Sequence, residues 1–561
     1  MAGLKASEDY GINEPSRRRS SAQPGKVKDE KHLDDVGEAV APPPAYEGFE
    51  AERRGSVNLS GEVDGTHRKL KPRHIQLIGI GGTIGTALYV QIGRGLLNGG
   101  PASLLIAFTL WCSFVLAVTI SIAEMVSYLP ISSPFIRFAG RYVDEAFGFA
   151  AGWNFFIFEA ILVPFEITAC NVVIHYWSDV VPAGGIIAIV LVLYALINLL
   201  TVSWYGETEF WAALGKVLLI IGLIILYWNN PGSFAPLYYE GNLGRFLGFL
   251  QCLIQASFTI AGPDYVSMAA GEAENPRVVM PKAYNAVFYR LTTFFILGAL
   301  CVGINVPYND PELTAAFANG EPGAAASPYV VAMNRLRISV LPDIVNALVL
   351  ASAFSAGNSY VYCASRSLFG MALEGKAPKI FTRTNRQGVP IYCVLAVLAI
   401  SLLAFLQVSA GSATVLSWFV SLITASQLIN FAVMCFTFLA WYKACNVQGL
   451  DRSKLPYRAF WQPYAAWYGF VGCTIMAFVG GYTVFLPGQW SASSFVFSYF
   501  MIGLCPVLFI GWKLIKKSKW RKPHELDLRG EVEKIDEYTR NFVQALYRNF
   551  ADKWFNKAFG A

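Results

Sequence analysis

The stretch Ile78-Gly79-Ile80-Gly81-Gly82-Thr83-Ile84-Gly85-Thr86-Ala87 sets four glycines inside an otherwise apolar run. A second apolar run, Ser257-Phe258-Thr259-Ile260-Ala261-Gly262-Pro263-Asp264, has Gly-Pro near its middle. Glycine weakens a helix interior by about 1 kcal/mol and proline by about 3. Both runs are of the length, about 20 residues, that crosses a hydrocarbon core. A backbone break at that depth is tolerated only where it faces protein or a water-filled cavity. The two breaks fall in the first and sixth candidate spans, which points to two five-helix repeats of inverted topology with a solute held between them. The half-helix N-termini would offer N–H groups to a carboxylate, and the C-terminal ends would offer carbonyls to an ammonium group. Glycines also let membrane helices pack closely, and for one Gly-rich span alone that reading prevails. The matching Gly-Pro in span six turns the balance toward a binding site.

Composition agrees. Of 561 residues, 55% are hydrophobic and only 15% charged, with a mean hydropathy of +0.43. Soluble domains carry about 45–50% apolar and about 25% charged residues, so an all-α integral membrane protein is expected. Twelve candidate spans can be drawn, at 75–96, 102–127, 147–176, 184–202, 209–228, 246–270, 284–306, 341–365, 390–408, 413–442, 463–486 and 494–514. Residues 1–74, with Arg17-Arg18-Arg19 and Pro42-Pro43-Pro44, read as a disordered cytoplasmic tail. The membrane-spanning core is then 75–514, and 515–561 is a second polar tail. Phe542, Leu546, Phe550 and Trp554 recur there at helical spacing, as in an amphipathic helix resting on a membrane or on the protein's own underside. No signal-peptide pattern opens the chain, so the first span is expected to direct insertion. Lys and Arg concentrate in alternate loops (Arg137, Arg141, Arg277, Lys282, Arg366 and Lys376 among them), which puts both termini in the cytoplasm. The net charge of +6 sits in loops rather than on one face, so nucleic acid is not an expected partner.

Several blocks resemble the fungal yeast amino-acid transporter family of the APC superfamily. They are His74-Ile75-Gln76-Leu77-Ile78 into Gly81–Thr86, Gly152-Trp153-Asn154 with Pro164-Phe165-Glu166, Ala270-Gly271-Glu272 with Asn275-Pro276-Arg277, and Ser355–Asn358 through Ala364-Ser365-Arg366. The likeness extends over residues 68–530. Cys252–Gly262 and Leu422–Phe431 look closest to the branch associated with broad amino-acid, carnitine and polyamine transport. The resemblance implies a LeuT-like fold of 5+5 helices plus two and proton-coupled uptake of amino acids or related zwitterionic or cationic solutes at the plasma membrane. It implies a substrate site of Thr83, Gly85, Thr86, Ala87, Phe258 and Gly262, with Phe258 at the aromatic gate. Ala87 stands where the family usually has Gly, Tyr89 where it has Phe, and Ile260–Asp264 replaces the usual Phe-x-Gly-Thr-Glu. A methyl at Ala87 crowds the approach of a substrate backbone and points to a different head group.

A charge at a helix centre costs about 2.5–3.5 kcal/mol on insertion scales, so each one inside a span needs a reason. Lys216 lies seven residues into span five. By resemblance it matches the lysine that replaces a sodium ion in proton-coupled relatives, and its alternative is a lysine snorkelling to the headgroups. Glu124, near the inner end of span two, reads equally as a second proton-coupling group or as a carboxylate paired with Arg137 or Arg141. Glu159 and Glu166 are seven apart and share one helix face. Glu166 belongs to the family pattern. Glu159 is an extra acid, read as a contact for a substrate cation or as an ion-pair partner of Lys216. Glu272, Glu274 and Arg277 close span six as an inner gate or cap.

Other classes are disfavoured. The five histidines show no metal-ligand spacing, and the ten cysteines sit in or beside apolar runs as small core residues, so no metal and no cofactor is expected. No Gly-Lys pair is followed by Ser or Thr, which argues against ATP-driven transport. A nutrient sensor with little flux remains an alternative. Lys26, Lys28 and Lys31 in the N-tail offer acceptors for ubiquitin, making ligase adaptors expected partners.

Overall fold

The computed structural model describes residues 87–541 together with residue 75, apart from 179, 201–233, 320–326, 336, 338, 339, 386, 387 and 411. Thr83, Gly85 and Thr86, Lys216 with span five, the N-terminal tail and the amphipathic end from Phe542 lie outside the described residues. Those described fall in the unit Gly48–Ala561. Every regular element among them is helical.

The first long helix, α1 (Ile92–Tyr128), follows a π turn at Ala87–Gln91. Together they make 42 residues, roughly 63 Å at 1.5 Å per residue and about twice a hydrocarbon core. The length is resolved by a break. Gly100 adopts φ 77°, ψ 170°, and Pro101 follows without an N–H to donate. The break falls between the candidate spans 75–96 and 102–127. Gly99 just before the bend lets the first arm touch the backbone of the sixth span: a β-carbon there would lie 2.5 Å from the Gly248 carbonyl oxygen. The Cys252 thiol donates to the Gly95 carbonyl at 3.1 Å across the same contact.

Helix α2 (Glu145–Ile174) is long and almost wholly buried. The sixth span comes in two pieces, α3 (Gly241–Thr259) and the short α4 (Pro263–Met268), followed by α5 (Pro276–Arg290). A π turn, Leu291–Ile296, carries α5 on into Leu297–Asn305. After it the stretch 307–340, between two candidate spans, contains two short helices, Pro311–Asn319 and Pro328–Arg335. Asp310 starts the first of them by accepting from the Glu312 and Leu313 amides. Then come α6 (Leu341–Leu373), α7 (Ser412–Gln448), α8 (Tyr464–Val479), α9 (Ala492–Lys516) and α10 (Val532–Asn541). Seven of the described helical stretches are long and apolar enough to cross a membrane, and three more are apolar but shorter, at Ala183–Leu199, Ile391–Leu406 and Tyr464–Val479.

The interior is built by α2 and α6 lying side by side, and by α1 against α3. Large rings fill it, with Phe108, Trp111, Phe155, Tyr265, Tyr362 and Trp441 closed to solvent. Buried amides tie helices where the bilayer gives no hydrophobic drive between them. Asn154 on α2 donates to the Ser426 carbonyl and the Asn430 side chain on α7, at 2.9 and 2.8 Å.

Candidate solute site at the broken helix

Span six unwinds where Gly262-Pro263 requires it. Helix α3 stops at Thr259, Ile260 is extended (φ −102°, ψ 98°), and Gly262 takes φ 142°, a region that side-chain-bearing residues rarely enter. The carbonyls released by the break have partners. Gln427 of α7 donates to Ile260 O at 3.2 Å, and the Arg290 guanidinium donates to Ala261 O at 2.9 Å. On the other side, Asp264 Oδ1 accepts from the Gly262 and Tyr265 amides, each at 3.2 Å. Protein donors thus already supply one hydrogen bond to each of these two carbonyls.

Phe258, one turn before the break, is buried and packs edge-to-face on Phe165 of α2 at 5.4 Å. Glu159 of α2 is fully buried, and among the described residues no lysine or arginine pairs with its carboxyl. Its electrostatic neighbours are Asp264 and Tyr265, on the far side of the break. Ala87 opens the π turn that leads into α1 and is half-buried. Glu159 thus lies close to Asp264 and Tyr265, just past the break, and Phe258 stands just before it, while Thr83, Gly85 and Thr86 lie outside the described residues.

Arg290 was missed in the sequence reading, and so was the charge on Asp264. The signal was present: both stand inside apolar candidate spans, where every charge calls for an explanation.

The other expected groups lie elsewhere. Glu124 is fully buried and grips Arg452 with both oxygens, at 2.6 and 2.8 Å, while also accepting from the Ala459 amide at 3.0 Å. Its partner is Arg452, not Arg137 or Arg141. Arg137 instead pairs with Glu374 at 3.0 Å. The expected inner cap divides into two contacts. Glu272 joins Arg366 at 3.3 Å and accepts from the Tyr362 hydroxyl, with the Arg366 guanidinium over the Tyr362 ring. Arg277 pairs with Asp536 of α10 and donates to the Tyr128 carbonyl at 3.1 Å. Glu274, between them in sequence, is half-buried.

The described part of the C-terminal tail is a belt across this end of the helices. Arg141 meets the Asp527 carbonyl and carboxylate and the Glu531 carboxylate, while Tyr128 donates to Leu528 O at 2.8 Å. Gln448 donates to the Pro523 and Leu526 carbonyls, and Leu526, Leu528 and Ile535 are buried beneath the belt. Asp144 anchors the start of it. Burial works against the Asp144 charge, but hydrogen bonds from Lys513, Ser518 and the Ala146 amide outweigh that and hold its carboxyl below the usual range. A carboxyl depressed on folding contributes stability above its unfolded value, about 3.9, and that contribution is lost as pH falls through the lower folded value. Acidification below about pH 4 should therefore loosen the tail from the start of α2, and Asp144→Asn should remove that pH dependence; protease cleavage of the tail against pH measures both.

A helical, multi-pass membrane protein with a broken span closed over by aromatics and flanked by buried charge is a solute carrier in architecture. The family described as "Amino acid permease" matches residues 74–525. The chain belongs to that family of transporters and is a permease, not an enzyme. It is similar to the general amino acid permease AGP2 of Saccharomyces cerevisiae, 48% identical over 88% of this chain and 86% of that protein. It is also 39% identical to the proline-specific permease of Emericella nidulans, covering 91% and 98%. To the lysine-specific permease of Saccharomyces cerevisiae it is 37% identical, covering 83% and 79%.

Proposed function

We propose that this permease takes up amino acids, or related zwitterionic or cationic solutes, across the plasma membrane with protons as the driving ion. Both termini face the cytoplasm, and the core, 75–514, has twelve spans in a LeuT-like 5+5 arrangement plus two. Counting the arms of α1 separately, adding the three shorter apolar helices and assigning one span to 201–233 is compatible with twelve. The tails, 1–74 and 515–561, are cytoplasmic, and the first is the place for ubiquitin ligase adaptors.

The observation that carries the reading is the unwound segment Ile260–Gly262 beside the buried carboxyl of Glu159, which no cation among the described residues pairs, in a chain of the amino acid permease family. An unpaired carboxylate in a dry interior is costly, so Glu159 must take a proton or a cation. Thr83, Gly85, Thr86, Ala87, Phe258 and Gly262 complete the substrate site, Lys216 carries the coupled proton, and Glu272, Glu274 and Arg277 form the inner gate. For Glu124, the two-pronged bond to Arg452 supports a structural part over a coupling one.

The test is uptake in a transport-deficient host at two external pH values, one labelled amino acid being challenged with neutral, acidic and basic amino acids, carnitine and spermidine. Uptake is expected to rise as external pH falls. Glu159→Gln is expected to reduce uptake of cationic competitors at least fivefold while sparing neutral ones. Equal loss for both removes the cation contact, and no accumulation of any solute turns the reading to a sensor.

A further inference from the structure

Arg290 is a complete charge placed deep in a membrane-crossing helix, 2% exposed, in the stretch Pro276–Asn305. One arm of its guanidinium donates to Ala261 O, at the end of the broken span. The group lies so flat against the unwound backbone that a β-carbon on Gly262 would collide with it, standing 2.7 Å from Cζ. Its electrostatic partners are Asp264, across the break, and the Cys112 thiol of α1. Asp264 in turn fixes the Gly262 and Tyr265 amides through one oxygen, and among the described residues its other oxygen makes no hydrogen bond. The break is thus stitched by a cation on its carbonyl side and an anion on its amide side, both supplied by the protein. A helix C-terminal end carries a partial negative charge that favours a cation, and the only cation among the described residues with a hydrogen bond to the Ile260–Gly262 carbonyls is this arginine.

We propose that Arg290 is a tethered cation: its guanidinium fills, at the carbonyl end of the broken span, the place a free cation or the substrate's own ammonium group would take, and thereby keeps the unwound segment in its binding shape. The inference rests on the reading that this break lines the solute site. Arg290 is a positioning residue, acting on the solute through Ala261 and Gly262. Its charge is the essential part, since a neutral donor could satisfy the Ala261 carbonyl equally well but would leave the helix end and Asp264 without a counter-charge.

The experiment compares Arg290→Lys, Arg290→Gln and Arg290→Ala in the full-length chain, with surface amount measured and uptake fitted for KM and Vmax. Arg290→Lys is expected within about threefold of the parent, since it keeps the charge. Arg290→Gln keeps a donor but no charge, and is expected to raise KM or lower Vmax by about tenfold, the scale of a 1.4 kcal/mol loss. Adding guanidinium ion to cells carrying Arg290→Ala should restore uptake at least threefold, which a mere loss of packing would not allow. Arg290→Gln behaving as the parent overturns the inference. So does Arg290→Ala that reaches the surface and is not rescued by guanidinium. If Arg290→Ala fails to reach the surface, the Gln-against-Lys comparison decides alone. A parent chain that accumulates no solute would instead sink the functional reading, so the two failures are told apart.

Discussion

Replacing Arg452 by Ala is expected to destabilise the protein by about 5 kcal/mol, and replacing Glu124 by Ala by nearer 3. The difference follows from exposure. The Glu124 side chain is fully buried and has no way to water, whereas the Arg452 side chain keeps 13% of its surface exposed and lies over the Tyr442 ring. Removing the arginine strands a carboxylate in the interior, and removing the carboxylate lets the arginine turn outward. Loss of the thermal midpoint in detergent, together with loss of chain at the cell surface, measures both. A third variant, Glu124→Gln, decides the role of Glu124. A Glu124→Gln protein with its midpoint unchanged and its pH dependence of uptake flattened would make Glu124 a proton carrier after all. A lowered midpoint with pH dependence retained makes it a clamp between α1 and the segment 452–459.

Gly262→Ala is expected to abolish uptake, by at least tenfold, with the chain still in the membrane. Two penalties combine. A φ of 142° is nearly closed to residues with a β-carbon, at a cost of about 1–3 kcal/mol. The added methyl would also stand 2.7 Å from the Arg290 Cζ, so the guanidinium must shift, which puts its bond to the Ala261 carbonyl at risk. Gly503→Ala and Gly511→Ala serve as controls, since a β-carbon at either meets nothing within 4 Å. Uptake equal to the parent in Gly262→Ala would mean that the unwound segment is not part of the solute path.

The break itself was legible in the letters Gly262-Pro263, because a missing β-carbon and a missing N–H act wherever they stand. The bend at Gly100-Pro101 follows from the same two residues, and it separates stretches that the hydropathy pattern had divided at 96 and 102. Partner choice was not legible. Glu124 finds Arg452 across 328 positions and Arg277 finds Asp536 across 259, and nothing in either local sequence names the other. Nearby arginines such as Arg137 and Arg141 are better guesses by distance along the chain and are drawn off by Glu374 and Asp527. The fate of the freed carbonyls was also hidden. A Gly-Pro pair says that Ile260 and Ala261 lose their helical partners, but Gln427 and Arg290 take them only because α7 and α5 pass that point.

The belt at the end of the chain has a bearing on biosynthesis. Its fasteners join Tyr128 to Leu528 and Arg141 to Asp527, contacts 400 and 386 positions apart. Ribosomal synthesis runs from the first helix to the last, so those fasteners have nothing to hold until the final span has been threaded into the bilayer. The buried arginine on the underside therefore waits, uncompensated, through most of translation. Completion of the polypeptide, rather than insertion of any one helix, is what seals this face.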